Sequence, residues 1–136
     1  MTSPTCVFCN IVNGSAEARV VFEDPQSLAF LDRNPQSRGH LQLIPKTHYR
    51  WIYELPDMGG LFTTAQRIIR AIIPVLGADH VIVGSFGREI MHAHIWIVPQ
   101  YGQGNRITEG TRVRGRGARD DVATLLRTAI KKEVFG

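Results

Sequence analysis

A chain of 136 residues is a single domain by length, large enough for one real core. Its 43 % hydrophobic and 21 % charged residues are ordinary globular usage, which excludes disordered and fibrous classes, and no apolar run approaches the length that crosses a bilayer. The net charge of +4 suits anionic ligands, yet a solvated basic loop would account for it equally well.

The first ten residues carry the only two cysteines, spaced as Cys6-Val-Phe-Cys9. No charged segment followed by an apolar stretch and a small-residue cleavage site is visible, so a cytoplasmic location with reduced thiols is expected. A redox C-x-x-C normally sits inside a βαβ unit, and this pair precedes any such unit. Short strands are expected at residues 20–22 and 27–32, joined by the turn sequence Asp24-Pro25-Gln26, and a third at 40–44, ended by Pro45. Leu61, Ala65, Ile68, Ile69, Ile72 and Leu76 recur at helical spacing opposite Gln66, Arg67 and Arg70, and Pro74 should end or kink that helix. Val81-Ile-Val83 reads as the fourth strand.

The fifth strand is expected over residues 91–98. Met91, Ala93, Ile95 and Ile97 would face one way as an apolar surface. His92, His94, Trp96 and Val98 would face the other, with two imidazoles about 7 Å apart. Such a pair offers ring nitrogens to a metal, a phosphate or a proton in transit; two surface histidines on an edge strand are the alternative. Joined to His48 and His92, the two cysteines make a Cys2His2 set of the type zinc prefers. Residues 101–118 hold five glycines and read as a loop, rich in arginine at Arg106, Arg112, Arg114 and Arg116. Val122, Leu125, Leu126, Ala129 and Ile130 write a last helix over 119–135, with Asp120 and Asp121 at its start and Lys131 and Lys132 at its end. The whole predicts one α+β domain over 1–136: an antiparallel five-stranded sheet, one long helix packed on a face, and a C-terminal helix.

Five motifs in order carry a family likeness: Cys6-Val-Phe-Cys-Asn-Ile-Val12, Phe22-Glu-Asp24, Leu28-Ala-Phe-Leu-Asp32, Gly39-His-Leu-Gln-Leu-Ile-Pro-Lys-Thr-His48 and His92-Ala-His-Ile-Trp-Ile-Val-Pro99. From Cys6 to about Tyr101 the chain resembles the histidine-triad family of nucleotide-binding hydrolases and transferases. The resemblance implies that His94, the middle triad position, attacks a nucleotide α-phosphate to form a nucleotidyl-histidine. It implies a structural zinc on Cys6, Cys9, His48 and His92. Phe8 and Ile11 match positions flanking the base, and Asp32 matches the acid that binds the ribose hydroxyls. The family's usual Gly-Gln-Ser/Thr appears as Gly87-Arg-Glu89, where Arg88 would attract phosphate and Glu89 repel it. Trp96 replaces the third histidine, and the indole N–H can donate one bond but cannot shuttle a proton. The preceding loop, Gly84-Ser-Phe-Gly87, looks shortened.

On that likeness the chain is expected to act on a nucleoside monophosphate ester, anhydride or phosphoramidate, as a hydrolase or nucleotidyltransferase. A catalytically weak or inactive zinc-stabilised nucleotide-binding or regulatory module is the alternative that Trp96 and Glu89 favour. A purine or other nucleotide is the expected ligand and a homodimer the expected assembly. No membrane partner is expected, nor a nucleic acid, since the chain shows no additional DNA-binding element.

Overall fold

A computed structural model describes residues 5–102 and 116–135, without the side chains of residues 116–118. Its elements in chain order are α1 (Val7–Val12), β1 (Val20–Glu23), β2 (Ser27–Leu31), β3 (Leu41–Pro45), a 3-10 turn (Ile52–Glu54), α2 (Met58–Leu76), β4 (His80–Gly84), β5 (Ile95–Gln100) and α3 (Arg116–Phe135). The strands form one sheet, ordered β1-β2-β3-β5-β4 and antiparallel throughout. The α+β domain read from the sequence is therefore the one the chain adopts. Asp24 tightens the first hairpin by accepting hydrogen bonds from the backbone N–H groups of Gln26 and Ser27.

Alternation along the strands separates two faces. Ala29, Leu31, Leu41, Leu43, Ile95 and Ile97 pack in one buried cluster with Leu61, Ala65, Ile68 and Ile72 of α2 and with Val122, Leu126 and Ile130 of α3. The opposite face holds a smaller cluster, Phe8, Leu28, Phe30 and Ile44. Each fully buried aliphatic or aromatic side chain contributes about 1.5–3 kcal/mol. Most of the stability thus resides on the helix side, and the other face is left open for a site. Strand register lays Val20, Phe30, Gln42, Trp96 and Gly84 in one row across all five strands on that open face.

Several boundaries differ from the sequence expectation. Pro74 neither ends nor interrupts α2, which runs two residues further to a left-handed Gly77 cap whose N–H bonds Ile73 O. Proline in the last turn forfeits a single ladder bond, and the glycine cap closes the end. The last helix begins at Arg116 instead of residue 119, so residues 116–118 leave the expected loop. Residues 103–115, with Arg106, Arg112 and Arg114, lie outside the described residues. The fifth strand begins at Ile95, not at residue 91, and Met91 is 60 % exposed instead of packed. The register places Ala93 opposite Pro45, which has no N–H to offer a ladder. Ala93 N–H bonds Tyr49 O instead. Its neighbours His92 and His94 therefore sit on a pinned, irregular approach to the strand.

Gly39 has φ +87°, and a Cβ there would lie 2.6 Å from Leu76 Cδ1. Gly14 has φ +83° with nothing within 4 Å of its Cβ position. Gly14→Ala should therefore cost about 1–2 kcal/mol in urea unfolding, for the left-handed backbone alone. Gly39→Ala should cost about 1–3 kcal/mol more, for overpacking against α2. Equal losses would show that the Leu76 contact is unimportant.

Candidate functional site

The two cysteines are placed by the start of α1. Cys6 is its N-cap, and the sulfur accepts the backbone N–H of Cys9 at 3.3 Å. Cys9 Sγ lies 3.2 Å from His48 Nδ1 and 3.5 Å from His92 Nδ1, and Cys6 Sγ lies 3.4 Å from His92 Nδ1. All four ligand atoms fall within 4.8 Å of one another. Two sulfurs and two imidazole nitrogens at such separations fit the corners of a tetrahedron around one ion, with metal–ligand lengths of about 2.0–2.3 Å. His92 donates Nε2–H to Pro45 O at 2.8 Å, which leaves the Nδ1 lone pair facing the thiols. The sequence-predicted set Cys6, Cys9, His48 and His92 is thus brought together as a group that can hold a metal ion.

His94 is arranged the opposite way round. Its Nδ1–H donates to His92 O at 2.8 Å, so Nε2 carries the free lone pair. The backbone N–H of Phe86 donates to that nitrogen at 3.3 Å. Burial lowers the His94 pKa, against the raising effects of the His92 carbonyl and the Asp32 charge. Burial thus favours the neutral ring, the form a nucleophile requires.

An open cleft of about 1610 Å³ runs over this face, bordered by Phe8, Ile11, Asp32, Gln42, His94 and Trp96. Phe8 meets Phe30 edge-on at 5.2 Å and His94 at 5.8 Å. Trp96 meets His40 edge-on at 4.7 Å and Phe86 at a tilt at 4.6 Å. Asp32 accepts Asn34 N–H on Oδ1 and Gln42 Nε2–H on Oδ2, both at 2.7 Å, and His40 Nε2 stands 3.5 Å from Oδ2. Arg88 and Glu89 border the cleft but are exposed. The loop that carries them is pinned: Arg50 donates to Gly87 O and lies over the Trp51 ring, and Trp51 presses so closely on Gly87 that a Cβ would not fit.

Sequence reading assigned no role to Gln42, His40, Arg50 and Trp51. The first two were within reach, because strand alternation puts Gln42 on the Trp96 side and His40 lies inside a quoted motif. Arg50, Trp51 and the Phe86 N–H depend on how two irregular segments meet, which no periodicity encodes.

Burial, together with His48 and His94 nearby, pushes His92 down to about 4, the Pro45 carbonyl opposing. An unfolded chain binds that proton near pH 6.5, whereas the folded chain resists it until about pH 4. In the presence of a chelator, folding stability should hold above pH 6.5, fall as pH drops from 6.5 to 4, and lose no more from this group below that. A His92→Gln variant measured by chemical denaturation should show a shallower fall across the same window.

A model of the HIT domain matches residues 13–103. An adenylylsulfatase of Arabidopsis thaliana is 35 % identical over 102 residues, 70 % of this chain and 52 % of that protein. An adenosine 5'-monophosphoramidase of Schizosaccharomyces pombe is 34 % identical over 110 residues, 74 % of this chain and 80 % of that protein. A Zn-bound histidine triad family protein from Mycobacterium smegmatis has a crystal structure that matches with a TM-score of 0.83 and 32 % identity, over 94 % of each chain. The chain belongs to the HIT domain family.

Proposed function

We propose that this protein hydrolyses or transfers a nucleoside monophosphate group through a nucleotidyl-His94 intermediate. The observation that carries the reading is the His94 tautomer: Nδ1–H is fixed on the His92 carbonyl, which leaves Nε2 unprotonated on a ring that borders the cleft. Nε2 attacks the α-phosphorus, the bond to the leaving group breaks, and its electron pair departs with that group. Water then attacks the phosphoramidate and releases the nucleoside monophosphate, returning His94 to its starting state; another acceptor in place of water makes the reaction a transfer. Phe8 and Ile11 flank the base, Asp32 takes the ribose, and Arg88 draws the phosphate into the cleft. Trp96 supplies a wall and one indole donor where a third histidine would otherwise stand. Relatives that act on adenylyl sulfate and on adenosine monophosphoramidate support a nucleoside monophosphoryl substrate.

Zinc is the ion proposed for Cys6, Cys9, His48 and His92, supported by the donor set and by the Zn-bound relative. Four protein ligands leave no open position, so the ion would fasten α1 to the triad segment and take no part in the chemistry. A cytoplasmic homodimer is the setting we propose; β4 is an edge strand with Ile82 and Val83 exposed, which supports pairing with a second copy. A second reading, a weakly active or inactive nucleotide-binding module, has one observation in its favour: Phe86 N–H occupies the Nε2 lone pair.

Incubation with adenylated sulfate or phosphoramidate and intact-mass analysis tests the main reading. Wild type should gain an adenylyl adduct or turn the substrate over, and His94→Ala should do neither. A folded wild type that binds AMP without adduct or turnover would establish the binding-module reading. Elemental analysis of the purified protein should find about one zinc per chain. Cys9→Ser should remove most of it; zinc content unchanged in that variant would defeat the proposed centre.

A further inference from the structure

Gln42 is 5 % exposed, faces the cleft side of the sheet and borders the cleft beside Asp32. Its Nε2–H is used, on Asp32 Oδ2. Its Oε1 is buried and has no hydrogen-bond partner among the described residues. A buried amide oxygen without a partner carries its desolvation cost uncompensated. Neighbours in its row do not relieve it, since Phe30 and Trp96 flank it in register and no bond from the indole reaches it. We propose that Gln42 is a specificity residue for the sugar: Oε1 accepts a hydrogen bond from one ribose hydroxyl while Asp32 accepts the other. This rests on the nucleotide reading given above.

Lone pairs around Asp32 lead to the same conclusion. A carboxylate has about four acceptor sites. Asn34 N–H and Gln42 Nε2–H occupy two, and His40 Nε2 faces a third from 3.5 Å. His40 Nδ1 accepts Gln36 N–H at 3.0 Å, so the hydrogen of the neutral ring is on Nε2, the nitrogen turned to Asp32. One site then remains for a diol that brings two O–H donors. The second donor needs another acceptor close at hand. Oε1 is about 2.3 Å from Nε2 on the same amide carbon, and so within about 5 Å of Asp32 Oδ2. Hydroxyls on adjacent ribose carbons span that gap, whereas the polar edge of the base lies several bonds away at the far end of the nucleoside. Proximity therefore selects the sugar and not the base. Leucine or methionine at position 42 would fit the row without orphaning an atom, so the amide's polarity is what calls for a ligand donor.

Binding of AMP, 2'-deoxy-AMP, 3'-deoxy-AMP and IMP to wild type, Gln42→Met and Gln42→Asn, by calorimetry, tests the proposal. Wild type should favour AMP over one of the deoxy forms by roughly tenfold more than Gln42→Met does. Selectivity for the other hydroxyl should survive, as should the ratio of AMP to IMP. Gln42→Asn, which withdraws the acceptor by one methylene, should show the same selective loss and serves if the methionine variant does not fold. Unchanged deoxy ratios in folded variants would overturn the Gln42 assignment while leaving nucleotide binding intact. A change confined to the AMP-to-IMP ratio would also overturn it, assigning the amide to the base. Failure of folded wild type to bind any of the four would overturn both this proposal and the nucleotide reading.

Discussion

The site depends on one residue bonded on three sides. His92 donates Nε2–H to Pro45 O, turns Nδ1 toward Cys6 and Cys9, and gives its own carbonyl to His94 Nδ1–H. Through the ring it joins the end of β3 to the start of α1, and through the backbone it sets the tautomer of the next histidine. Each bond selects the state of the following group. The Pro45 carbonyl demands a proton on Nε2, which frees Nδ1 for a metal; the His92 carbonyl demands a proton on His94 Nδ1, which frees Nε2 for the cleft. Two adjacent imidazoles thus present opposite nitrogens to opposite tasks. Any ion on the four-ligand group stiffens the same segment that orients His94.

Such an arrangement concentrates polar groups where an apolar core would be cheaper. His40, Gln42, His92 and His94 are all buried on or beside the open face. Stability is supplied instead by the helix face, where the buried residues of β2, β3, β5, α2 and α3 form one continuous cluster. Tight joints such as Gly39 against Leu76 belong to that side. The sheet separates the two demands physically, because alternate residues on each strand serve different faces.

The fold was legible because its signals are periodic. Helical spacing from Leu61 to Leu76 and short apolar runs at β1 to β4 are written residue by residue, and their order alone restricts the topology. Pro74 marked the end of α2 to within two residues, because a proline is costly mid-helix and cheap in a closing turn, and the sequence does not say where the turn ends. The triad strand misled for a related reason. Alternation continues from Met91 onward, but the ladder cannot, since its partner at that register is Pro45. The four candidate metal ligands were legible from residue type, since few other tasks gather two thiols and two imidazoles. Gln42 was harder, because an amide within an apolar strand is usually a satisfied one, and only coordinates reveal an oxygen without a partner.

The departures from the family pattern meet in one residue. Phe86 puts its backbone N–H on His94 Nε2 and its ring against Trp96. Residue 86 would sit across from His94 if the β4–β5 pairing continued past Gly84, so a short loop delivers this N–H to a side chain where a ladder would have delivered it to a carbonyl. A hydrogen bond to a lone pair and an attack by that lone pair use the same direction in space. On the proposed reaction, phosphorus would approach Nε2 along the line the Phe86 N–H now holds, so that hydrogen bond would have to break before the new bond forms. One residue therefore touches both the imidazole and the indole of the cleft wall. Trp96, at the third triad position, contacts two rings, His40 and Phe86, and its indole N–H cannot carry a proton as a histidine can.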